Sequence, residues 1–430
     1  MKRAVLALSL VACKADLHQT VDAQPLDTAI DSLSSETGEA PPNAVKLTVT
    51  RVGAPVADVA VFFQAADSSL IAQKLTNASG VAWAIMPNGG FVTAREHKGQ
   101  QVEELSTFAG VQPADSLELT FSPTGDTTQA MVHVQVPALS NAVAYNVYSP
   151  CGEAPMAMAT DDIRLVGCGA VTDLVIVPAD VDGNPLGSLF APNVSVDGPV
   201  DLTSSPYQPL RSVQLRYTNV PDFVSFIGMY ESLSATRRAF AVTAGEAPVA
   251  HAATATVSMP TTSATELTAT NLYPTSGEIG IQTIYNWHAA TTTYDLDLDT
   301  VLLPPFATAP VFAQPTHTLS WTERPGDIQP DVVRARIHVY RDAIPTGTAW
   351  TWRIVAARSG TSVTYPQLPI VDNFDFTPAA GDTVAVEELQ TISLPGGFAG
   401  FRTRGFAEAR DAIAGTLGRI VQQDLYFESL

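Results

Sequence analysis

Residues 45–64 read VKLTVTRVGAPVADVAVFFQ. Apolar and polar residues alternate, the alternation breaks at Gly53-Ala54-Pro55, and then it resumes. A period of two sends successive side chains to opposite faces, so the pattern predicts two half-buried strands joined by a turn. The stretch LIAQKLTNASGVAWAIMPNGGFVTAREH repeats the scheme, with turns at residues 77–80 and 87–90 between three strands. Strand-like runs continue to the end of the chain, among them AMVHVQVPAL, AVAYNVYS, SVQLRYTNVPDFVSFIGMY, DVVRARIHVYR and TAWTWRIVAARS. Helical periodicity is scarce, with residues 407–414 the main exception. Short strands punctuated by turns predict an all-β chain of antiparallel, immunoglobulin-like β-sandwich domains in series.

Residues 132–148 and 213–230 echo each other, each an alternating run, a Pro and an aromatic-bearing strand. Breaks rich in Pro, Ser and Thr, such as TSSPYQP and LPPFATAP, divide the β region into 45–126, 127–205, 206–304 and 305–430. The alternative is one large β architecture over residues 127–430. The punctuation of residues 45–123 resembles carboxypeptidase regulatory-like and related immunoglobulin-like modules. Its residues are Gly53, Pro55 and Val56, then Val59 and Val61, then Thr76 and Gly80, then Pro87 and Gly89. The resemblance implies a non-catalytic spacer or binding unit.

The chain opens in another register. Lys2 and Arg3 precede an apolar run from Ala4 to Ala12. The run is far short of the roughly 18 residues that span a bilayer, and its charge and small-residue ending predict a secretory signal over residues 1–12. Leu10-Val11-Ala12-Cys13 resembles the lipobox of bacterial lipoproteins. That resemblance implies cleavage before Cys13, diacylglycerol on its thiol, acylation of the new amine and stable attachment to a membrane. The alternative is an ordinary signal with an incidental Cys. Lys14, where an Asp would retain the protein at the inner membrane, points to the outer membrane. The rest of residues 13–44 is acidic and rich in Ser, Thr and Pro, which predicts a disordered tether.

The net charge of −20 over 430 residues disfavours nucleic acid as a partner. With Cys13 lipidated, Cys151 and Cys168 remain as an even pair, which in an exported protein reads as a disulfide. No nucleophile elbow, zincin helix, P-loop or dinucleotide-binding glycine pattern is present. Three constellations remain. Asp180, Asp182 and Asn184 read as a hairpin turn rather than a calcium loop, because residue twelve of that loop would be Ala191. Asp295, Asp297 and Asp299 would line one face of a strand, either as calcium ligands or as the charged face of an edge strand. Trp287, Trp350 and Trp352, with the row Arg334, Arg336, His338 and Tyr340 on one strand face, are the ligand-binding candidates. They form either a platform for carbohydrate or protein, or a buried Trp core beside an exposed Arg row.

The sequence therefore predicts an exported envelope lipoprotein that works by binding, adhesion or scaffolding, with no cofactor beyond the calcium alternative. The runner-up is a β-rich hydrolase or carbohydrate-active enzyme whose site assembles from separated residues.

Overall fold

The computed structural model describes residues 40–426, apart from 52–53, 98–101, 122–128, 150–151, 167–169, 234–239, 247, 261–264, 275–279, 301–302, 342–347, 372–373, 395 and 404–418. The leader with Cys13, the pair Cys151 and Cys168, and residues 407–414 lie outside the described residues, as does nearly all of the tether. No described helix is long and apolar enough to cross a membrane.

The fold is all-β, and four sandwiches follow one another. The first contains β1 (Ala44–Arg51), β2 (Ala54–Pro55), β3 (Ala60–Gln64), β4 (Leu70–Leu75), β5 (Val81–Ile85), β6 (Gly90–His97), β7 (Val102–Val111) and β8 (Ser116–Phe121). In one sheet β1 pairs antiparallel with β5 and parallel with β8, and the order β4-β3-β6-β7 forms the sheet opposite. Alternation drives the packing: Val45, Leu47 and Val49 of β1 meet Val61 and Phe63 of β3 in one buried core. Gly80 ends the turn before β5 with φ +71, and a Cβ there would stand 2.3 Å from the Val49 carbonyl oxygen. Only glycine takes that backbone and that approach without strain.

The second sandwich contains β9 (Gln129–Gln135), β10 (Ala144–Ser149), β11 (Gly152–Met156), β12 (Thr160–Val166), β13 (Val171–Ala179), β14 (Leu189–Ser195) and β15 (Val200–Asp201). The third contains β16 (Arg211–Thr218), β17 (Val224–Leu233), β18 (Phe240–Glu246), β19 (Ala253–Met259), β20 (Thr265–Pro274), β21 (Ile281–Ala289) and β22 (Thr293–Asp297). Both repeat the first. The opening strand, β9 or β16, pairs antiparallel with β12 or β19 and parallel with the closing strand, β15 or β22. The fourth contains β23 (Phe306–Ala313), β24 (Thr318–Arg324), β25 (Val332–Arg341), β26 (Thr348–Ala357), β27 (Ser362–Thr364), β28 (Thr383–Ser393) and β29 (Arg419–Tyr426). Here β23-β24-β27 faces the run β26-β25-β28-β29.

The sandwiches are serial in sequence, but three of them share a sheet. β21 pairs antiparallel with β29, and β26 pairs parallel with β7. The result is a 12-stranded sheet in the order β18-β17-β20-β21-β29-β28-β25-β26-β7-β6-β3-β4. The second sandwich keeps its own two sheets around Val132, Val134, Ile163 and Leu174.

Candidate functional site

β25 reads VVRARIHVYR, and its alternation is resolved cleanly in space. Val333, Ala335, Ile337 and Val339 enter the core beneath β23-β24-β27. Arg334, Arg336, His338 and Tyr340 therefore share the other face, the outer face of the fourth sandwich. The row is half-buried rather than freely exposed, because carboxylates from neighbouring strands close over it. Arg336 lies directly opposite Arg353 of β26, and like charges in that position repel. Glu388 and Glu104 relieve the repulsion from either side. Arg353 pairs with Glu104 of β7 at 3.1 Å and Arg334 with Glu388 of β28 at 3.2 Å.

A β-bulge supplies the second carboxylate. The β25–β28 register slips between Arg336 and Ile337, which pair with Glu388 and Val386 and leave Glu387 as the extra residue. A bulge re-aims side chains and sets two residues against one. Glu387 and Glu388 thus both reach Arg336, at 2.9 and 3.7 Å. His338 Nδ1 lies 3.1 Å from Glu387 Oε1, and the Tyr340 ring stacks on the imidazole at 4.3 Å. The hydrogen bond from His338 outweighs the effect of burial and, with the Arg336 charge, holds the Glu387 carboxyl below its ordinary pKa. The site is thus a lattice of guanidinium and carboxylate edges beside one stacked aromatic pair.

The tryptophans do not join it. Trp350 and Trp352 are fully buried on the opposite face of the sheet. Trp352 donates from Nε1 to Thr107 Oγ1 at 2.8 Å, and Trp350 packs edge-on against Phe374 at 5.5 Å under the Arg341 guanidinium. Of the two arrangements the sequence leaves open, the buried Trp core is the one present and the aromatic platform is corrected: alternation along β26 puts both indoles inward, where their area stabilises the core. The backbone of Trp287 pairs with Leu267, and its side chain lies outside the described residues.

The acidic triplet is also broken up. β22 is the edge of the sheet β19-β16-β22 and carries Asp295 and Asp297, but the chain turns into a 3-10 helix at Leu298–Thr300, which takes Asp299 off the strand. Asp297 Oδ1 accepts from Asn219 Nδ2 at 2.8 Å and from the Asp299 amide at 3.1 Å. Among the described residues no three His, Cys, Asp or Glu side chains gather as a metal site. Asp180 Oδ1 accepts the amides of Asp182 and Asn184, the turn that the sequence favours over a calcium loop.

Glu104, Glu387, Glu388 and Arg353 are the members of the site that sequence reasoning missed. No family profile and no curated protein matches the chain. Among solved structures, a leucine-rich repeat protein from Bacteroides thetaiotaomicron is 14% identical over 39% of this chain and 25% of that one, with a TM-score of 0.17. The Bacillus anthracis TIE protein is 8% identical over 59% of this chain and 50% of that one, also at 0.17. The FN1–FN3 domains of chicken CNTN1 are 7% identical over 72% of this chain and 90% of that one, at 0.13. The chain spans a quarter to a half of the first two.

Proposed function

We propose that the chain is an exported envelope lipoprotein, anchored in the outer membrane through Cys13, whose sandwiches form a non-enzymatic binding, adhesion or scaffold body. The anchor reading rests on the order of residues 2–13: two basic residues, an apolar run, then Leu-Val-Ala-Cys. The binding reading rests on the outer face of β25, β26 and β28. There each cation is held by a carboxylate on a neighbouring strand, so the hydrogen-bonding edges are fixed before a ligand arrives. Preorganisation of this kind lowers the ordering cost of association. Guanidinium and carboxylate edges suit the hydroxyls of a carbohydrate or the amides of a protein, and Tyr340 adds ring area. Glu387 and Glu388 are both tied to Arg336, which favours holding a ligand over transferring a proton.

The test is intact mass and membrane fractionation of the native protein beside Cys13→Ala. The native chain is expected in the membrane with a diacylglycerol-sized mass increase, and the variant in the soluble fraction. Identical soluble behaviour of both sinks the anchor. For the face, ligands found on glycan and envelope-protein arrays are expected to bind Arg336→Ala at least tenfold more weakly, about 1.4 kcal/mol. Unchanged binding removes the face from the reading.

A further inference from the structure

The first sandwich leaves one side open. β4 ends the 12-stranded sheet, and β5 ends the small sheet opposite, where its only strand partner among the described residues is β1. The turn at residues 76–80 joins the two strands, so both free edges lie on the same side. These two strands carry exposed apolar side chains: Leu70 and Ile71 of β4 at 47% and 39%, and Ile85 of β5 at 49%.

The hydrogen-bond phase of β5 decides what its edge offers. In an antiparallel ladder, residues whose N–H and C=O face the partner strand alternate with residues whose polar groups face away. The Val49 amide donates to the Gly80 carbonyl at 2.7 Å. Ala82 and Ala84 therefore also face β1, and Val81, Trp83 and Ile85 face the opening. Asn77 satisfies Val81: its amide donates to the Val81 carbonyl at 2.9 Å, and its Oδ1 accepts from the Val81 amide at 3.1 Å. The backbone groups of Trp83 and Ile85 find no partner among the described residues. Side chains alternate too. Ala82 and Ala84 enter the core, so Val81, Trp83 and Ile85 share the outer face. Trp83 Nε1 is buried, so the half-buried indole shows solvent only ring carbon.

A bare strand edge is a template for pairing, and proteins block such edges with charges, proline or bulges. Other edges of this chain are blocked in those ways. β22 carries Asp295 and Asp297, β14 carries Pro192, and β4 pairs through a register shift at Phe63–Gln64. β5 has no charge, no proline and no bulge.

We propose that β5 is the interface of a two-fold dimer, in which β5 of a second copy adds antiparallel with Ala84 opposite Ala84. The occupant is a second copy because this one register satisfies both edges together. Trp83 lies opposite Ile85 of the second copy, an aromatic against a β-branched side chain, and the two residues exchange both of their backbone hydrogen bonds. Pro87, which has no N–H, falls beside Val81 of the second copy, whose polar groups Asn77 already holds. Leu70 and Ile71 flank the seam. The pairing consumes both edges, so assembly stops at two chains.

The experiment is sedimentation velocity of the full chain from roughly 1 to 200 µM, with a monomer–dimer equilibrium expected at a Kd on the order of 10 µM for so small an interface. Amide hydrogen exchange across the same range is expected to show protection of Trp83 and Ile85 that rises with concentration, while Ala82 and Ala84, already bonded to β1, stay unchanged. Ile85→Pro removes an edge N–H, and Ile85→Asp puts a charge on the seam. Each is expected to weaken the dimer at least tenfold with the thermal midpoint kept within a few degrees, and Ile85→Val to leave it intact. Ile85→Asp carries the test if Ile85→Pro does not fold. A chain that stays monomeric at about 200 µM overturns the proposal and leaves the edge to a strand from another protein. Growth beyond two chains, a dimer in which the Trp83 and Ile85 amides exchange as in the monomer, or a dimer unmoved by Ile85→Asp also overturns it.

Discussion

Ile337 lies opposite Trp352, and Arg336 opposite Arg353. One step along the strand changes an apolar core contact into two like charges on the opposite face. Trp352 is fully buried, with its ring 5.2 Å from that of Tyr365 in an edge-on contact. Trp352→Ala is expected to cost about 3–5 kcal/mol, the range for large aromatic truncations in a core. Urea unfolding measures it, and a near-neutral result contradicts the inward placement. A second residue-scale device pins the loop before β28. Arg341 grips Asp382 through two hydrogen bonds, at 2.9 and 2.7 Å, between the rings of Trp350 and Phe374. Burial pushes the Asp382 carboxyl up, but the Arg341 hydrogen bonds, the Ala379 amide and the Arg341 charge outweigh it and hold the carboxyl below 3.8. A carboxyl depressed on folding adds stability above its unfolded pKa, and that stability is lost as pH falls through the folded value. The contribution is therefore complete near neutrality and fades below about pH 4. Asp382→Asn is expected to unfold at lower urea at pH 7 and to converge on the native protein at low pH. A constant gap between the two midpoints across that range would rule the pairing out as the cause.

At the scale of elements, the strands are legible in the sequence because each buries one face. Even the bulge is legible in part. In TVAVEELQTIS the apolar positions run Val384 and Val386, then shift parity to Leu389, and all three pack in or against the same core. A one-residue shift in a period of two marks an inserted residue. The partner of that bulge is not legible, because which strand lies beside β28 depends on pairings some fifty residues apart. For the same reason Arg334, Arg336, His338 and Tyr340 can be placed on one face, but their carboxylates cannot be named. The acidic triplet fails for a different cause. Strand alternation alone predicts that Asp295, Asp297 and Asp299 share a face, and the 3-10 turn at Leu298–Thr300 ends the strand before the third. The two strand aspartates then read as charges that guard an exposed edge. Addition of calcium or of a chelator is accordingly expected to leave the thermal midpoint unchanged. A calcium-dependent rise that Asp297→Asn abolishes would restore the metal reading.

At the scale of the whole molecule, the parallel pairing of β26 with β7 is the decisive contact. It joins Val102–Phe108 to Ala349–Val355, stretches that belong to the first and last sandwiches. Tandem sandwiches linked only by peptide unfold independently, whereas sandwiches that share a sheet lose backbone hydrogen bonds together. The core agrees with the sheet: Phe62, Leu105 and Ala109 of the first sandwich pack in the same cluster as Ile337, Trp350 and Ile354 of the last. The long closure between them is costly in chain entropy and slow to form, but once formed it couples the ends. Ile354→Ala removes buried volume from the middle of this joint and is expected to cost about 2–5 kcal/mol. Native-state hydrogen exchange locates the loss. If the joint is cooperative, amides of β7 and β26 lose protection by the same free energy, while amides of β9 and β12, which pack in the separate core around Val132 and Ile163, keep theirs. Loss confined to β26, with β7 still protected, would mean that the first sandwich stands without the last.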